Sequence, residues 1–244
     1  MAKSNGYTYH STGIDGGHYT YNIPGSRSFF KDPYVYKNGT LKNKLQITSY
    51  KRLVQVEREI LADKVVTTEL VKSSKLDIEL LKEIHRYIFG DLFSWAGKLR
   101  DVPIEKEEVF FIPARSIQYS EPQNIYNEAK KVIYHLNSVR WNEMNVDEIA
   151  KEFSIRIARL WKIHPFRDGN TRAIIGFAKI FAIEHGFPMN MSVFTKILSR
   201  PLDDNGNIFG LSLRDMFVGA CVEEVPEPEH LIRTVRKAIM SYKK

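Results

Sequence analysis

Apolar positions recur at helical spacing along most of the chain. Leu53, Val56 and Ile60 open one amphipathic stripe. Leu81, Ile84 and Ile88 form a second, which Gly90 is placed to end. Val146, Ile149, Phe153, Ile157 and Leu160 make the cleanest helical face in the sequence, and Asn145 and Glu148 stand before it with the spacing of a capping box. Ile174, Phe177 and Phe181 continue the pattern until Gly186. Leu231, Val235 and Ile239 mark a last helix after Pro226 and Pro228. The period breaks at residues 101–113, DVPIEKEEVFFIP. There two prolines bracket the β-forming run Val109, Phe110, Phe111 and Ile112, which predicts a hairpin or extended flap. The expected fold is therefore all-α, a helical bundle with one small β-hairpin flap.

Residues 1–33 show no sustained period and are rich in Gly, Ser and Tyr, so they read as an irregular N-terminal extension. Tyr7, Tyr9, Tyr19, Tyr21, Phe29 and Phe30 suggest that part of it packs on the body. No internal repeat is present. No apolar run reaches the roughly 18 residues of a membrane span, and the N-terminus has no apolar segment of a Sec signal peptide.

The 244 residues are 43% hydrophobic, enough for a sizeable core, and 27% charged. The net charge of +7 favours anionic partners in general. The basic residues are dispersed, however, with KNGTLKNK (37–44) the densest short cluster, so a solvated surface is expected rather than a nucleic-acid footprint. The single Cys221 cannot form an internal disulfide and lies in the apolar stretch FVGACV, where a buried structural thiol is expected.

The densest chemistry is HPFRDGNTR, residues 164–172. Pro165 disfavours helix at the preceding residue, and a new helix is predicted to start near Asn170 or Thr171. The first N–H groups of that helix have no internal partner and the macrodipole adds positive charge, which makes an anion site. Gly169 lets the backbone approach an anion closely. Arg172 supplies a guanidinium suited to phosphate oxygens, and Asp168 a hard oxygen ligand for Mg²⁺ beside a polyphosphate. His164 can accept a proton near neutral pH, and Phe166 is read as the apolar anchor of the loop. These residues describe a phosphoryl or nucleotidyl transfer site. Each alone fits a capped helix with a core histidine, but nine consecutive positions carrying all of them do not. No Walker A, GxGxxG or HExxH pattern is present. His164 and Asp168 stand four apart without a third ligand nearby, which disfavours zinc. LDDNGN (202–207) lacks the acid spacing of a calcium loop and reads as a turn.

HPFRDGNTR resembles the signature of Fic (filamentation induced by cAMP) proteins, His-x-Phe-x-(Asp or Glu)-Gly-Asn-Gly-Arg followed by x-x-Arg. LFSWAGKLRDVPI (92–104) is similar to the Trp-Ala-Gly-x-x-Arg segment that leads into the Fic flap. YKNGTLKNKLQI (36–47) resembles the opening of Fic domains in bacterial class I toxins and Bartonella-type translocated effectors. The resemblance implies an extension over 1–33, a Fic core over 34–200 with its flap at 105–113, and C-terminal helices over 201–244 packed on that core. It also implies protein adenylylation (AMPylation), with ATP as substrate and Mg²⁺. His164 would be the general base and Asp168 the metal ligand. Gly169, Asn170 and Thr171 would line the anion hole, Arg172 would grip the outer phosphates, and Phe166 would support the nucleotide loop. Flap residues Val109, Phe110, Phe111 and Ile112 would clamp the target by strand pairing. The expected partners are a target protein with a Ser, Thr or Tyr hydroxyl and a small antitoxin-like inhibitory protein. The expected location is the bacterial cytoplasm, or a host cell after translocation.

Two positions depart from the signature. Its second Gly is Thr171 here, and its second Arg falls at Ile175. Transfer of another nucleotide, phosphate transfer as in the Doc branch, and a degenerate site that only binds nucleotide or protein stay open as alternatives. Gly169 disfavours the Doc branch, where Ala is usual. No inhibitory helix of the pattern (Ser or Thr)-x-x-x-Glu-(Gly or Asn) occurs in the sequence, which points to a separate partner for that role.

Overall fold

A computed structural model describes residues 11–12, 18–20, 32–61, 64–65, 67–71, 75–108, 115–198, 210–221 and 226–242. Eight helices are present among them: α1 Tyr50–Leu61, α2 Ile78–Phe89, α3 Ile125–Asn137, α4 Val146–Ile163, α5 Asn170–Glu184, the short α6 Ser192–Thr195, α7 Leu213–Cys221 and α8 Glu229–Met240. The stripes read in the sequence fall on α1, α2, α4, α5 and α8. The sequence reading did not single out α3 or α7.

Helix α4 is the axis of the bundle and packs on α3, α5, α7 and α8. Its N-terminus carries the expected capping box: the Asn145 side chain accepts from the Asp147 and Glu148 amides, and Glu148 accepts from the Asn145 amide. Such caps contribute about 1 kcal/mol. Ile149, Phe153, Ile157 and Leu160 are buried, but Val146 is exposed, because the first helical residue precedes the turn that faces the core. A second packing unit joins α2 to α5 and aims its aromatic side chains at the connection between α4 and α5.

Gly90 follows α2 as expected, but it does so at φ −63 rather than in the left-handed region. Its small size has a steric reason, since a Cβ there would lie 2.5 Å from the Arg86 carbonyl oxygen. Gly186 does take positive φ, at +83, just past the end of α5. Cys221 is partly buried, with its thiol 3.2 Å from the Ala158 carbonyl, and burial pushes its pKa up to about 12. That suits the expected unreactive thiol.

The β element is larger than the sequence suggested. Strands β3 Glu105–Glu108 and β4 Arg115–Gln118 pair antiparallel, with Glu105 opposite Gln118 and Glu108 opposite Arg115. Within the N-terminal extension, read as irregular, β1 Ser11–Thr12 and β2 His18–Thr20 continue the sheet in the order β1-β2-β3-β4. Val109, Phe110, Phe111 and Ile112, the predicted clamp, lie outside the described residues, as do LDDNGN and the side chains of the N-terminal aromatics. No helix among the described residues is long and apolar enough to cross a membrane.

Candidate nucleotide site at the junction of α4 and α5

Helix α4 ends at Ile163 and α5 begins at Asn170, so residues 164–169 form one tight connection between the two helix ends. His164 caps α4 in the left-handed conformation, at φ 53 and ψ 59. For a residue with a Cβ this costs on the order of 1–2 kcal/mol, which neighbouring contacts must offset. The Arg100 Nε donates to the His164 carbonyl at 2.8 Å, and the Arg100 amide donates to the Pro165 carbonyl at 2.9 Å. The His164 ring is buried. It stacks on Tyr119 at 4.0 Å and meets the edge of Trp161 at 5.3 Å.

The rest of the connection is closed by reciprocal bonds. Asn170 accepts from the Phe166 amide at 2.9 Å and donates to the Phe166 carbonyl at 2.8 Å. The Asn170 side chain thus holds the turn in shape at the head of α5, where the first backbone N–H groups have no partner within the helix. The Asp168 carboxylate accepts from the Gly169 amide at 2.7 Å. Gly169 sits at φ +76 with the Phe89 ring beneath it. Phe166 is fully buried and stacks on His85 at 3.8 Å.

His85, on α2, escaped the sequence reading although it lies on the buried face with Leu81, Ile84 and Ile88. Its Nδ1 accepts from the Gly97 amide at 2.8 Å, so its Nε2 carries the proton and donates to the Asp168 carbonyl at 3.0 Å. Burial lowers its pKa to about 3. It is neutral in the fold at any pH well above that, and it pins the Asp168–Gly169 step. Between the folded value and the unfolded 6.5 the unfolded chain binds the extra proton. Stability is therefore complete above about pH 6.5 and declines as pH falls toward 3, with a slope approaching ~1.4 kcal/mol per pH unit. Thermal unfolding between pH 7 and 4 should show this decline, and His85→Gln should flatten it. Equal slopes in the two proteins would remove His85 as the cause.

Arg172, expected to clamp phosphates, has its Nη2 2.6 Å from Oε1 of Glu57, a fully buried carboxylate on α1. Its guanidinium also lies 4.7 Å over the Phe89 ring. The signal for Glu57 was present in the sequence as an acid on the apolar face beside Leu53, Val56 and Ile60. Arg167, at 1% exposure, pairs with Asp32 at 2.8 Å and ties the loop to the start of the body.

The two departures from the signature both turn inward. The Thr171 hydroxyl accepts from the buried Trp161 Nε1 at 3.0 Å, which links α5 to α4. Ile175 is core, 2% exposed. For metal, no group of three or more His, Cys, Asp or Glu gathers among the described residues. Asp168 fits a hard cation that brings its remaining oxygen ligands with a polyphosphate, the usual habit of Mg²⁺.

Comparison with known proteins agrees with this anatomy. Residues 75–182 match the Fic/DOC family. The chain is 31% identical over 166 residues to the protein adenylyltransferase VbhT of Bartonella schoenbuchensis, covering 67% of this chain but only 32% of that longer protein. It is 25% identical over 200 residues to the probable protein adenylyltransferase Fic of Escherichia coli K12, covering 82% of this chain and 96% of that one. In structure it resembles the N-terminal Fic domain of the Bep8 effector of Bartonella sp. 1-1C, with a TM-score of 0.62 at 22% identity over 83% of this chain and 92% of that one. It likewise resembles BepC of Bartonella tribocorum, solved with bound AMPPNP, with a TM-score of 0.63 at 21% identity over 84% and 95%. These likenesses place the bundle in the mostly helical Fic fold, and with the signature loop seated between α4 and α5 the chain belongs to the Fic/DOC family.

Proposed function

We propose that this protein is a protein adenylyltransferase that moves AMP from ATP to a Ser, Thr or Tyr hydroxyl of a target protein. The observation that carries this reading is the 164–169 connection, which puts His164 and Asp168 on one closed turn leading into the N-terminus of α5. The relatives named as adenylyltransferases support it, as does the AMPPNP bound by a structural neighbour. In the reaction the target hydroxyl oxygen bonds to the α-phosphorus while His164 takes its proton. The bond from the α-phosphorus to the bridging oxygen breaks, and pyrophosphate leaves. The backbone N–H groups of Asn170 and Thr171 at the head of α5 would meet the phosphate charge, where preorganised donors are worth most, while the Gly169 amide holds the Asp168 carboxylate. Asp168 would hold Mg²⁺ together with the nucleotide, and the ion would supply charge to neutralise the developing negative charge. Arg172 reaches the outer phosphates by sharing or leaving its contact with Glu57.

Ile175 removes one cation from the signature, so the grip on a terminal phosphate rests on Arg172 alone. That specific change favours a second reading, transfer from a different nucleotide donor by the same loop. The effector or toxin role, the antitoxin-like partner, and the cytoplasmic or host location belong to this proposal as well. The test is transfer of label in bacterial and eukaryotic lysates with Mg²⁺ and ATP labelled at the α- or the γ-phosphate. Label from the α position alone is expected. Label from the γ position would mean phosphate transfer. No transfer from either, with nucleotide still bound, would leave a binding module.

A further inference from the structure

Arg100 is 2% exposed. A guanidinium offers five N–H donors in a fixed plane, and here main-chain carbonyls from three segments receive them. Nε donates to His164 at 2.8 Å and Nη1 to Val102 at 2.7 Å. Nη2 donates to Ser120, with a longer 3.5 Å contact to Ile163. Val102 precedes β3 and Ser120 follows β4, so these are the two stems of the flap hairpin. Ile163 ends α4 and His164 caps it, and the carbonyls at a helix C-terminus lack helical partners and carry partial negative charge. The neighbouring Tyr119, on the second stem, stacks on the His164 ring.

We infer that Arg100 is a positioning residue that joins both flap stems and the His164 backbone into one unit, so that the guanidinium sets where the flap stands relative to the base. The inference deepens the adenylyltransferase reading and rests on it for its catalytic meaning. The hydrogen bonds of the Arg100 side chain all go to main-chain carbonyls of the flap stems and of the α4 end. The turn into α5 is held by the Asn170 bonds to Phe166 and by His85 on Asp168, contacts that the Arg100 side chain does not make, so nucleotide binding is expected to persist when that side chain is changed. Lysine in its place keeps the charge, but its three donors share one nitrogen and do not reproduce the spread of Nε, Nη1 and Nη2 over the three segments.

The test uses the whole chain and reads structure and activity separately. In Arg100→Lys, hydrogen exchange in peptides 102–108 and 115–120 should accelerate about tenfold or more, the scale of one lost buried charged hydrogen bond. Protection of α5 should hold, and the His164 imidazole resonances should shift. The thermal shift produced by ATP and Mg²⁺ should stay unchanged, while the KM for target rises and kcat falls. Unchanged stem exchange and unchanged His164 signals would overturn the inference, as would loss of nucleotide binding in a variant that still folds. Should Arg100→Lys not fold, native-state exchange of the wild-type protein in mild denaturant decides. Stems and the 161–165 peptide opening together support the inference, and independent opening overturns it. Absence of transfer by the wild-type protein would sink the adenylyltransferase reading while leaving the exchange results to stand or fall alone.

Discussion

His164→Ala will abolish the proposed adenylyl transfer while leaving nucleotide binding near the wild-type level. The loss should be at least ~10²–10⁴-fold in kcat, the usual contribution of a placed general base. The imidazole is the side-chain type in the 164–169 connection that serves as a general base, whereas the Asp168 carboxylate accepts from the Gly169 amide and is the proposed metal ligand. Binding should persist because the anion cradle is made by backbone at the head of α5 and by the Asn170 bonds to Phe166. Structure should persist as well. The backbone of His164 is held by Arg100 through its carbonyl, which alanine keeps, although the left-handed conformation and the lost stack on Tyr119 will cost some stability. Steady-state transfer and a nucleotide titration, run side by side, check both halves. Transfer that survives in His164→Ala would mean that another group takes the proton, and the assignment of the base would fall.

The loop was legible in the sequence because its signals are local. A proline, a glycine and two helix boundaries within nine positions define a turn at a helix N-terminus without reference to anything else in the chain. The residues that hold this turn in place were not legible in that way. Arg100 meets His164 across 64 positions, His85 meets Asp168 across 83, and Asp32 meets Arg167 across 135. Helical periodicity could flag Glu57 and His85 as polar residues on apolar faces, but it could not say what they face. Arg100 carries no such flag, because it lies in an irregular segment with no period to violate. The same limit explains the sheet. The bracketing prolines and the β-forming run at 109–112 pointed to a flap, whereas the strands described there, Glu105–Glu108 and Arg115–Gln118, are polar apart from Ile117, and their partners are set by pairing. Thr171 and Ile175 read as defects against the signature. In the fold Thr171 satisfies a buried indole N–H and Ile175 fills core, so both substitutions have structural work that a motif comparison does not reveal.

Gly169→Ala will destabilise the protein by about 2–5 kcal/mol, the sum of a left-handed backbone penalty of about 1–2 and an overpacking cost of about 1–3. Gly169 has φ +76, and an added Cβ would lie 2.2 Å from Cζ and 2.3 Å from Cε2 of Phe89. The ring has little room to give way. Phe89 is 1% exposed, tilts against His85 at 4.7 Å and lies under the Arg172 guanidinium. Moving it would disturb the histidine that pins Asp168 and the arginine paired with Glu57. Denaturant unfolding of Gly169→Ala, Phe89→Leu and the double variant measures the two parts. The double variant should recover the steric share of the Gly169→Ala loss and retain the backbone share, a coupling that additive effects would not show. If Gly169→Ala alone costs less than ~0.5 kcal/mol, within the range of an ordinary surface change, the loop does not rest on Phe89 as described. The alanine usual in the Doc branch therefore needs a different floor from the one Phe89 provides here. It follows that a glycine at this position is not by itself evidence of phosphate approach, because packing alone demands it. The chemical assignment depends on His164, whose replacement removes transfer without removing the floor. A protein that loses mainly stability with Gly169→Ala but mainly transfer with His164→Ala has separated the architecture of the loop from its chemistry.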